Sequence, residues 1–236
     1  MGTVRKTFIV RYALRLTAFA ILLFVVYSSG ALRGQGGVHP LSGRRYAGTM
    51  DVSGAEWLDR AEREAEEAPA KALTLIGVTP GMSVADVGAG SGYFTIRLAS
   101  MVGPAGRVYA NDIQAGMLDI IRGKIAREGL KNVSLVLGTQ DDPRLPPASV
   151  DLVLMVDVYH ELRAPQVMLR RLREVIRPGG RLVLLEYRKE DPQIPINPTH
   201  KMSVAEAKLE VEAEGYSLTS VDERLPWQHI LIFSRK

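Results

Sequence analysis

Three glycines at every second position mark the stretch of this chain best suited to binding a ligand. Gly88, Gly90 and Gly92 follow the apolar run 84–87 and precede apolar residues at helical spacing. Because glycine tolerates positive φ and allows a ligand close to the backbone, the pattern predicts a strand, a tight turn and a helix that together bind a nucleotide. The glycines alone fit a dinucleotide and other adenosyl ligands equally well.

Polar side chains follow each of the five apolar runs that begin at residue 84. Asp86 ends the first run, and Asp112 ends the second, where one carboxylate can accept both hydroxyls of a ribose. The later ones are Gln140 and Asp141 after the third run, Asp157, Tyr159, His160 and Glu161 after the fourth, and Glu186 at the end of the fifth. Since parallel strands end at one edge of a sheet, we expect a single site there. Taken singly, Asp86 and Asp112 also fit helix caps.

The elements that position these side chains alternate regularly. Apolar runs predict strands at 84–87, 107–112, 133–137, 150–156 and 181–186, with helical patterns between them. A closing pair of strands is predicted at 217–223 and 229–233. The alternation is typical of an α/β fold, in which a doubly wound, mostly parallel seven-stranded sheet carries helices on both faces.

Charge and composition exclude several classes of protein. The net charge of +4 comes from residues 1–45, which hold seven basic and no acidic side chains; the remainder has 23 basic and 26 acidic ones. We therefore expect no nucleic-acid partner. The lack of cysteine excludes a disulfide, a thiolate metal site and a cysteine nucleophile.

The amino-terminal residues have the layout of a secretory signal. Basic residues extend to Arg15, an apolar run covers 16–27, and small residues occupy 29–31. We expect either export after cleavage or a membrane anchor through residues 16–27. Initiation at Met50 is the alternative, and it would leave the protein in the cytoplasm.

The next residues predict a linker that leads into helices. Ser53 and Glu56 have the spacing of a capping box, and the charged stretch 62–67 predicts a solvent-facing helix. Trp57 and Tyr46 are candidates for a lid over the ligand site. The predicted divisions of the chain are a signal peptide or anchor at 1–31, a linker and N-terminal helix or lid at 32–69, and the main domain at 70–236.

Four segments carry a resemblance to a known family. They are Val-Ala-Asp-Val-Gly-Ala-Gly-Ser-Gly at 84–92, Asn-Asp-Ile at 111–113, Asp-Leu-Val-Leu-Met-Val-Asp at 151–157 and Arg-Pro-Gly-Gly-Arg-Leu at 177–182. Together they resemble the successive motifs of class I S-adenosylmethionine-dependent methyltransferases. The resemblance implies a methyltransferase domain with a Rossmann-like fold, an antiparallel last strand and S-adenosylmethionine as cofactor.

The resemblance also implies which residues bind S-adenosylmethionine. The three glycines would line its methionine and ribose, and Asp112 would hold the ribose hydroxyls. Gln140 and Asp141 would lie beside the adenine, although Thr139-Gln140 stands where the family often has Asp-Ala. The full predicted set is Asp86, Gly88, Ala89, Gly90, Gly92, Tyr93, Asp112, Ile113, Gln140, Asp141 and Asp157.

The segment 158–161 indicates the chemistry of the methyl acceptor. It resembles the part of small-molecule O-methyltransferases in which a histidine acts as general base, supported by a carboxylate at the end of the fifth strand. Those roles would fall to His160 and Glu186, with Tyr159 and Glu161 as further catalytic candidates. An imidazole of ordinary pKa, about 6.5, can take a phenolic proton. A solvent-facing histidine at a helix start is the alternative.

The expected function is therefore methyl transfer to a small-molecule acceptor. The Asn/Asp-Pro-Pro-Tyr motif expected of a methyltransferase acting on amino groups of nucleobases is missing after the fourth strand, and a cysteine-dependent relay is excluded. A non-catalytic protein that binds S-adenosylmethionine or S-adenosylhomocysteine is the alternative from another class.

Three histidines are expected near the same edge of the sheet. His160, His200 and His229 fall there by topology, and His200 lies in the long connection 187–203, which is typical of a functional loop. One interpretation is a metal site completed by Glu161 or Glu186. The favoured interpretation is an acceptor pocket in which these histidines and Lys201 donate or accept hydrogen bonds, so the sequence assigns no metal.

Overall fold

The computed structural model of the protein describes residues 37–236. Within that range the sheet contains the strands β1 (Ser83–Val87), β2 (Arg107–Asp112), β3 (Val133–Leu137), β4 (Val150–Val156), β5 (Ile176–Arg188), β6 (Lys201–Met202), β7 (Tyr216–Asp222) and β8 (Gln228–Arg235). The helices are α1 (Ala55–Leu58), α2 (Arg63–Glu67), α3 (Pro69–Ile76), α4 (Tyr93–Val102), α5 (Ala115–Glu128), α6 (Pro165–Val175) and α7 (Val204–Glu212). Short 3₁₀ turns cover Val52–Gly54, Tyr159–Glu161 and Pro198–His200.

The strands follow the order β3-β2-β1-β4-β5-β8-β7 across the sheet, and β6 pairs with β5. Neighbouring strands from β3 through β2, β1 and β4 to β5 are parallel, whereas β8 runs antiparallel to both β5 and β7. This confirms the predicted α/β class and the antiparallel last strand. The two-residue β6 adds an eighth strand, which returns the long loop after β5 to the sheet. The strand order reverses between β1 and β4, and in such sheets ligands bind at that point, outside the carboxyl ends of the strands.

Both faces of the central strands are buried, as a parallel sheet between two helical layers requires. In β4, Val153 and Met155 pack into one core with α6 and α7, whereas Leu152 and Leu154 pack into a second core with α3 and α4. The alternation of side chains along the strand thus explains why residues 150–156 form a continuous apolar run. These rigid strands fix the positions of the residues that follow them.

The predictions for residues 51–67 agree less well with the structure than those for the sheet. The predicted capping box at Ser53 is wrong, because Asp51 caps a 3₁₀ turn by accepting a hydrogen bond from the backbone N–H of Ser53. A capping box forms instead at Ser203 and Glu206, at the start of α7. The stretch 62–67 is not wholly solvent-facing either, since Arg63 is buried in α2.

The start of β5 also differs from the prediction. The fifth strand is predicted over residues 181–186, but β5 already begins at Ile176 and its pairing with β4 shifts register there. The glycines at 179 and 180 permit this irregularity. The signal or anchor predicted within residues 1–31 lies outside the described residues. Across residues 37–236, none of the helices combines the length and apolar character needed to span a bilayer.

Candidate active site

A cavity of about 340 Å³ lies over the carboxyl ends of β1, β2, β3 and β4. The predicted site residues that line it are Gly88, Gly90, Asp112, Ile113, Gln140, Asp157, His160 and Glu161. The cavity thus collects residues from four separate strand ends, as the topology predicted. The amino-terminal segment also contributes to its wall, through Met50, Trp57 and Leu58. Trp57 therefore lies where a lid residue was expected, whereas Tyr46 packs against Arg44 outside the cavity lining.

The glycine turn and Asp112 form one hydrogen-bonded unit. Gly88, Gly90 and Gly92 all have positive φ, which permits the sharp reversal between β1 and α4. One carboxylate oxygen of Asp112 accepts the N–H of Gly90 at 2.9 Å, and the other accepts the N–H of Gln114 at 2.9 Å. Each oxygen keeps a second lone pair for a ligand. Burial raises the pKa of Asp112, and its hydrogen bonds to backbone N–H groups offset part of that rise.

Several predicted cofactor residues lie behind or beside this unit. Asp86 is buried below the turn and accepts a hydrogen bond from the Thr95 hydroxyl at 2.5 Å, and burial raises the pKa of Asp86 to about 6. Tyr93 donates a hydrogen bond to Glu64 at 2.8 Å. The predicted residues outside the cavity lining are Asp86, Ala89, Gly92, Tyr93, Asp141, Tyr159 and Glu186. Asp86 therefore orients the turn through α4, and its predicted direct contact with a cofactor stays a prediction.

Asp157 has an unusual backbone conformation at the end of β4. Its φ is 53°, a left-handed value that is uncommon for a residue other than glycine. Oδ2 accepts a hydrogen bond from the Gln228 amide at 2.7 Å, whereas the buried Oδ1 has no partner among the described residues. Burial, followed by the charges of Glu67 and Glu186, raises the pKa of Asp157 well above its usual range. A buried acceptor without a donor is costly, so this atom is suited to a donor on a ligand.

His160, which lines the cavity, forms a buried pair with Glu186 behind it. His160 Nδ1 lies 2.5 Å from Glu186 Oε2, and the side chains are 1% and 0% exposed. The second carboxylate oxygen accepts the N–H of Tyr159 at 2.9 Å, which holds the 159–161 turn against β5. Since a carboxylate only accepts hydrogen bonds, Nδ1 carries the proton and Nε2 carries the lone pair. The solvent-facing alternative for His160 is therefore wrong.

His200 and Glu161 complete a compact group around Nε2 of His160. His200 Nδ1 lies 3.1 Å from His160 Nε2 and 3.9 Å from Glu161 Oε1. Burial, together with the charge of His160, lowers the pKa of His200, and burial raises the pKa of Glu161 to about 7. The functional loop predicted from the length of 187–203 thus brings one histidine to the site.

The remaining predicted acceptor residues lie elsewhere. His229 is fully buried outside the cavity lining, and neither of its ring nitrogens has a hydrogen-bond partner among the described residues. The Lys201 ammonium donates to the backbone carbonyls of Asp191 and Ile194 at 3.0 and 2.7 Å. Lys201 therefore stabilises the loop that presents His200, and the group of three histidines and Lys201 predicted from the sequence does not form.

The segment that precedes α1 secures the histidine turn from the other side. The Arg44 guanidinium donates to both carboxylate oxygens of Glu210 at 2.8 and 2.9 Å, and to the carbonyl oxygen of His160 at 3.0 Å. Its guanidinium also lies over the Tyr159 ring, 5.2 Å from the ring centroid. Arg44 and Glu210 are both buried. This pair connects residue 44, the 159–161 turn and α7, and nothing in the local sequence signals it.

A second network missed by sequence reasoning closes the cavity near Asp157. Tyr187 donates to Glu67 at 2.8 Å, and Arg63 donates to the same carboxylate at 2.6 Å. Arg63 and Tyr187 both line the cavity, and burial raises the pKa of Tyr187. Tyr187 directly follows Glu186 at the end of the fifth predicted strand, and this position could have identified it as a cavity residue. The burial of Glu67, by contrast, depends on packing that a charged stretch does not indicate.

Comparisons with known proteins place this geometry in a wider context. A family model described as "Methyltransferase domain" matches residues 78–229. The ubiquinone/menaquinone biosynthesis C-methyltransferase UbiE of Hahella chejuensis is 34% identical over 123 residues, which cover 52% of this chain and 47% of that protein. The protein of the same name from Burkholderia multivorans is 33% identical over 121 residues, covering 50% and 49%. The chain thus spans about half the length of these curated relatives.

Solved structures give a longer match. A SAM-dependent methyltransferase from Aquifex aeolicus is 31% identical with a TM-score of 0.74, and the match covers 78% of this chain and 98% of that one. A type 11 methyltransferase structure from Sulfolobus solfataricus has a TM-score of 0.60 at 20% identity, covering 72% and 94%, and it supports the fold alone.

Proposed function

We propose that this chain, which belongs to the S-adenosylmethionine-dependent methyltransferase family, methylates a small apolar phenol or hydroquinone. In this proposal His160 takes the hydroxyl proton of the acceptor. The observation that carries the proposal is the buried hydrogen bond of 2.5 Å between His160 Nδ1 and Glu186. This bond leaves His160 Nε2 as a proton acceptor beside a cavity that also contains the glycine turn and Asp112.

The residues around the glycine turn fit S-adenosylmethionine. A Cβ atom added to Gly88 would lie 2.5 Å from the Val158 side chain, and one added to Gly90 would lie 2.8 Å from Leu58, so side chains at these positions would crowd the turn. Asp112 offers free lone pairs to the ribose hydroxyls, and Ile113 and Gln140 line the cavity beyond it. These residues would hold the adenosyl part.

Two partly buried carboxyl groups at the cavity fit the cationic methyl donor, because a nearby cation favours their ionised form and offsets the rise in pKa that burial causes. The partnerless oxygen of Asp157 is suited to the donor's ammonium group, and Glu161 also lines the cavity. When bound, S-adenosylmethionine supplies an electrophilic methyl group on a sulfonium sulfur. The protein then has to align an acceptor atom with that methyl group, and such alignment can contribute several of the ~7–11 kcal/mol available to well-oriented groups.

His160 acts on the acceptor. Its Nε2 takes the hydroxyl proton, the acceptor's O–H bond breaks, and the negative charge left on the acceptor makes its oxygen or a conjugated ring carbon nucleophilic. The Glu186 carboxylate stabilises the imidazolium that forms, because it accepts a hydrogen bond from Nδ1 at 2.5 Å. In the free protein His200 Nδ1 donates to the same lone pair, so an acceptor hydroxyl has to replace that contact.

Two observations support the class of acceptor. Apolar side chains form much of the cavity wall that His160 also lines, among them Met50, Leu162 and Ile196. The curated relatives are named ubiquinone/menaquinone biosynthesis C-methyltransferases, and a quinone ring carries hydroxyl groups in its reduced, hydroquinone form. An apolar aromatic hydroxyl compound would pack its ring against the apolar cavity wall and donate its hydroxyl proton to His160.

The experiment incubates the purified whole chain with methyl-labelled S-adenosylmethionine and a panel of phenols, catechols and hydroquinones kept reduced, and measures S-adenosylhomocysteine. We expect product only when an aromatic hydroxyl compound is present. Methylation confined to amines or thiols would overturn the proposed acceptor class. Tight binding of S-adenosylmethionine without methylation of any panel member would instead favour the non-catalytic alternative.

A further inference from the structure

Three side chains around the cavity present ligand atoms of the kind that bind a transition-metal ion. Ligand atoms of His160, Glu161 and His200 all lie within 4.8 Å of one another. The two imidazole nitrogens, His160 Nε2 and His200 Nδ1, are 3.1 Å apart, and Glu161 Oε1 lies 3.9 Å from His200 Nδ1. Within residues 37–236, no other three His, Asp or Glu side chains bring their ligand atoms this close together.

The spacing fits tetrahedral coordination. Zinc binds histidine nitrogen at about 2.0–2.1 Å, so two ligand atoms of a tetrahedral site lie about 3.3 Å apart. The observed separations of 3.1 and 3.9 Å lie on either side of that value. Two imidazoles and one carboxylate leave a fourth position open, as catalytic zinc sites do.

The surroundings of His160 are also those of a metal ligand. Histidine ligands commonly donate their second N–H to a carboxylate, which fixes the tautomer and orients the ring. Glu186 performs this function at His160 Nδ1, at 2.5 Å and with no solvent exposure. His200 is presented on a loop that Lys201 anchors through two backbone carbonyls.

We propose that His160, Glu161 and His200 bind one divalent cation of the zinc class, with its open coordination position directed toward the cavity. This site differs from the one considered from the sequence alone, because His229 is replaced by Glu161 as the third ligand and Glu186 supports His160 from behind. Binding of the cation does not rest on the proposed function.

The site has a consequence for catalysis, and this part does rest on the proposed function. His160 Nε2 has one lone pair, which either coordinates a cation or takes a proton from the acceptor. Occupation by zinc therefore removes the base, and we expect zinc to inhibit methyl transfer over the same concentration range in which it binds.

The binding test is isothermal titration calorimetry of the whole chain, first treated with a chelator, with ZnCl₂ and separately with MgCl₂. We expect one zinc per chain and no magnesium binding at the same site, because magnesium prefers an all-oxygen octahedral environment. His200→Ala and Glu161→Gln should each weaken zinc binding at least ~10-fold, since even outer residues of metal sites contribute ~10–100-fold. Residues 1–36 contain no His, Cys, Asp or Glu, so their side chains do not compete.

The matched control is His39→Gln. His39 forms the other buried histidine–carboxylate contact of the described region, 3.3 Å from Glu210, and it lies outside the cavity lining. This variant should keep the zinc affinity of the unmodified chain, and circular dichroism should show that all three variants are folded. Absence of zinc binding in the unmodified chain, or equal affinity in His200→Ala and His39→Gln, would overturn the site.

The activity arm separates the two proposals. Zinc inhibition that disappears with chelator supports both the site and His160 as base. Zinc that binds with the predicted variant pattern but accelerates methyl transfer keeps the site and contradicts the role of His160 as base.

Discussion

The cavity has two halves that are built in different ways. The donor half consists of the glycine turn and Asp112, lies within 25 residues of sequence, and is held together by a hydrogen bond from the backbone N–H of Gly90 to the Asp112 carboxylate. The acceptor half consists of His160, Glu186 and His200, and it is secured by an Arg44–Glu210 pair whose members are 166 residues apart. The donor half therefore depends on local backbone geometry, whereas the acceptor half depends on buried side chains that only the complete fold brings together.

This difference predicts that the two halves can be damaged separately. Changes in the acceptor half should reduce turnover or stability while S-adenosylmethionine still binds. Changes in the donor half should weaken binding of S-adenosylmethionine and leave the buried hydrogen bonds of the acceptor half intact.

The largest effect is expected from Glu186→Gln. A glutamine amide can donate to His160 Nδ1, which moves the imidazole proton to Nε2 and removes the lone pair that faces the cavity. Loss of a general base lowers turnover by roughly 10²–10⁴-fold. Steady-state release of S-adenosylhomocysteine measures the loss, and calorimetry with S-adenosylmethionine should give an unchanged Kd. A weaker Kd of similar magnitude would mean that the two halves are not separable.

The next largest effect is expected from Arg44→Met. This substitution leaves the fully buried Glu210 carboxylate without its bidentate partner, and breaking such a pair typically costs about 3–5 kcal/mol. The free energy of unfolding from urea titration measures the cost.

The double variant Arg44→Met/Glu210→Met is the matched control. It removes both charges and should recover much of the lost stability, since an apolar replacement of a buried pair is often neutral. Equal stability of Arg44→Met and the unmodified chain would contradict the long-range support assigned to the 159–161 turn.

A smaller effect is expected from Asp112→Ala in the donor half. The carboxylate accepts the N–H of Gly90 and is placed to accept ribose hydroxyls, and hydrogen bonds to a charged group contribute ~1.5–3 kcal/mol each. We therefore expect S-adenosylmethionine to bind roughly 10–150-fold more weakly, as measured by calorimetry. Asp119→Ala, which removes an exposed carboxylate on α5, is the control. Similar affinities for the two variants would remove Asp112 from the proposed donor site.

The smallest effect concerns pH and the buried His229. Burial lowers the pKa of His229 below 6.5, so the unfolded chain binds a proton that the folded chain does not when the pH falls below about 6.5. Stability is then fully present above that pH and is lost on acidification, by at most ~1.4 kcal/mol per pH unit for one histidine.

Urea titrations of the unmodified chain and of His229→Leu at pH 7.5 and 5.5 isolate this contribution, because Asp86 and Glu161, whose pKa values burial raises to about 6 and 7, change stability in the opposite direction by the same amount in both chains. On acidification, the free energy of unfolding of His229→Leu should fall less, or rise more, than that of the unmodified chain. The same pH dependence in the variant and the unmodified chain would show that His229 does not contribute.

The fold could be predicted from the sequence because each strand is encoded locally. The bounds of β2, β3 and β4 follow directly from their apolar runs, and β1 and the closing strands differ from prediction by one or two residues. The errors lie where a local signal competes with another. Ser53 and Glu56 have the spacing of a capping box, but the Asp51 side chain accepts the hydrogen bond from the backbone N–H of Ser53 and caps the turn instead.

The donor half shares this local encoding, whereas the acceptor half does so only in part. His160 and Glu186 follow strands that are neighbours in the sheet, so topology alone brings them together. Arg44, Glu210 and Glu67 have no such relation to a strand end. Their burial arises from packing between segments distant in sequence, and for that reason composition and periodicity did not identify them.

The role of His160 as the base is tested most directly by a single-turnover measurement with His160→Gln. The variant is loaded with saturating methyl-labelled S-adenosylmethionine, mixed with an aromatic hydroxyl acceptor identified in the panel, and compared with the unmodified chain. We predict normal binding of S-adenosylmethionine and methyl transfer slower by at least ~100-fold, because the proton has no acceptor at that position. Equal transfer rates in the variant and the unmodified chain would contradict the assignment of His160 as the base.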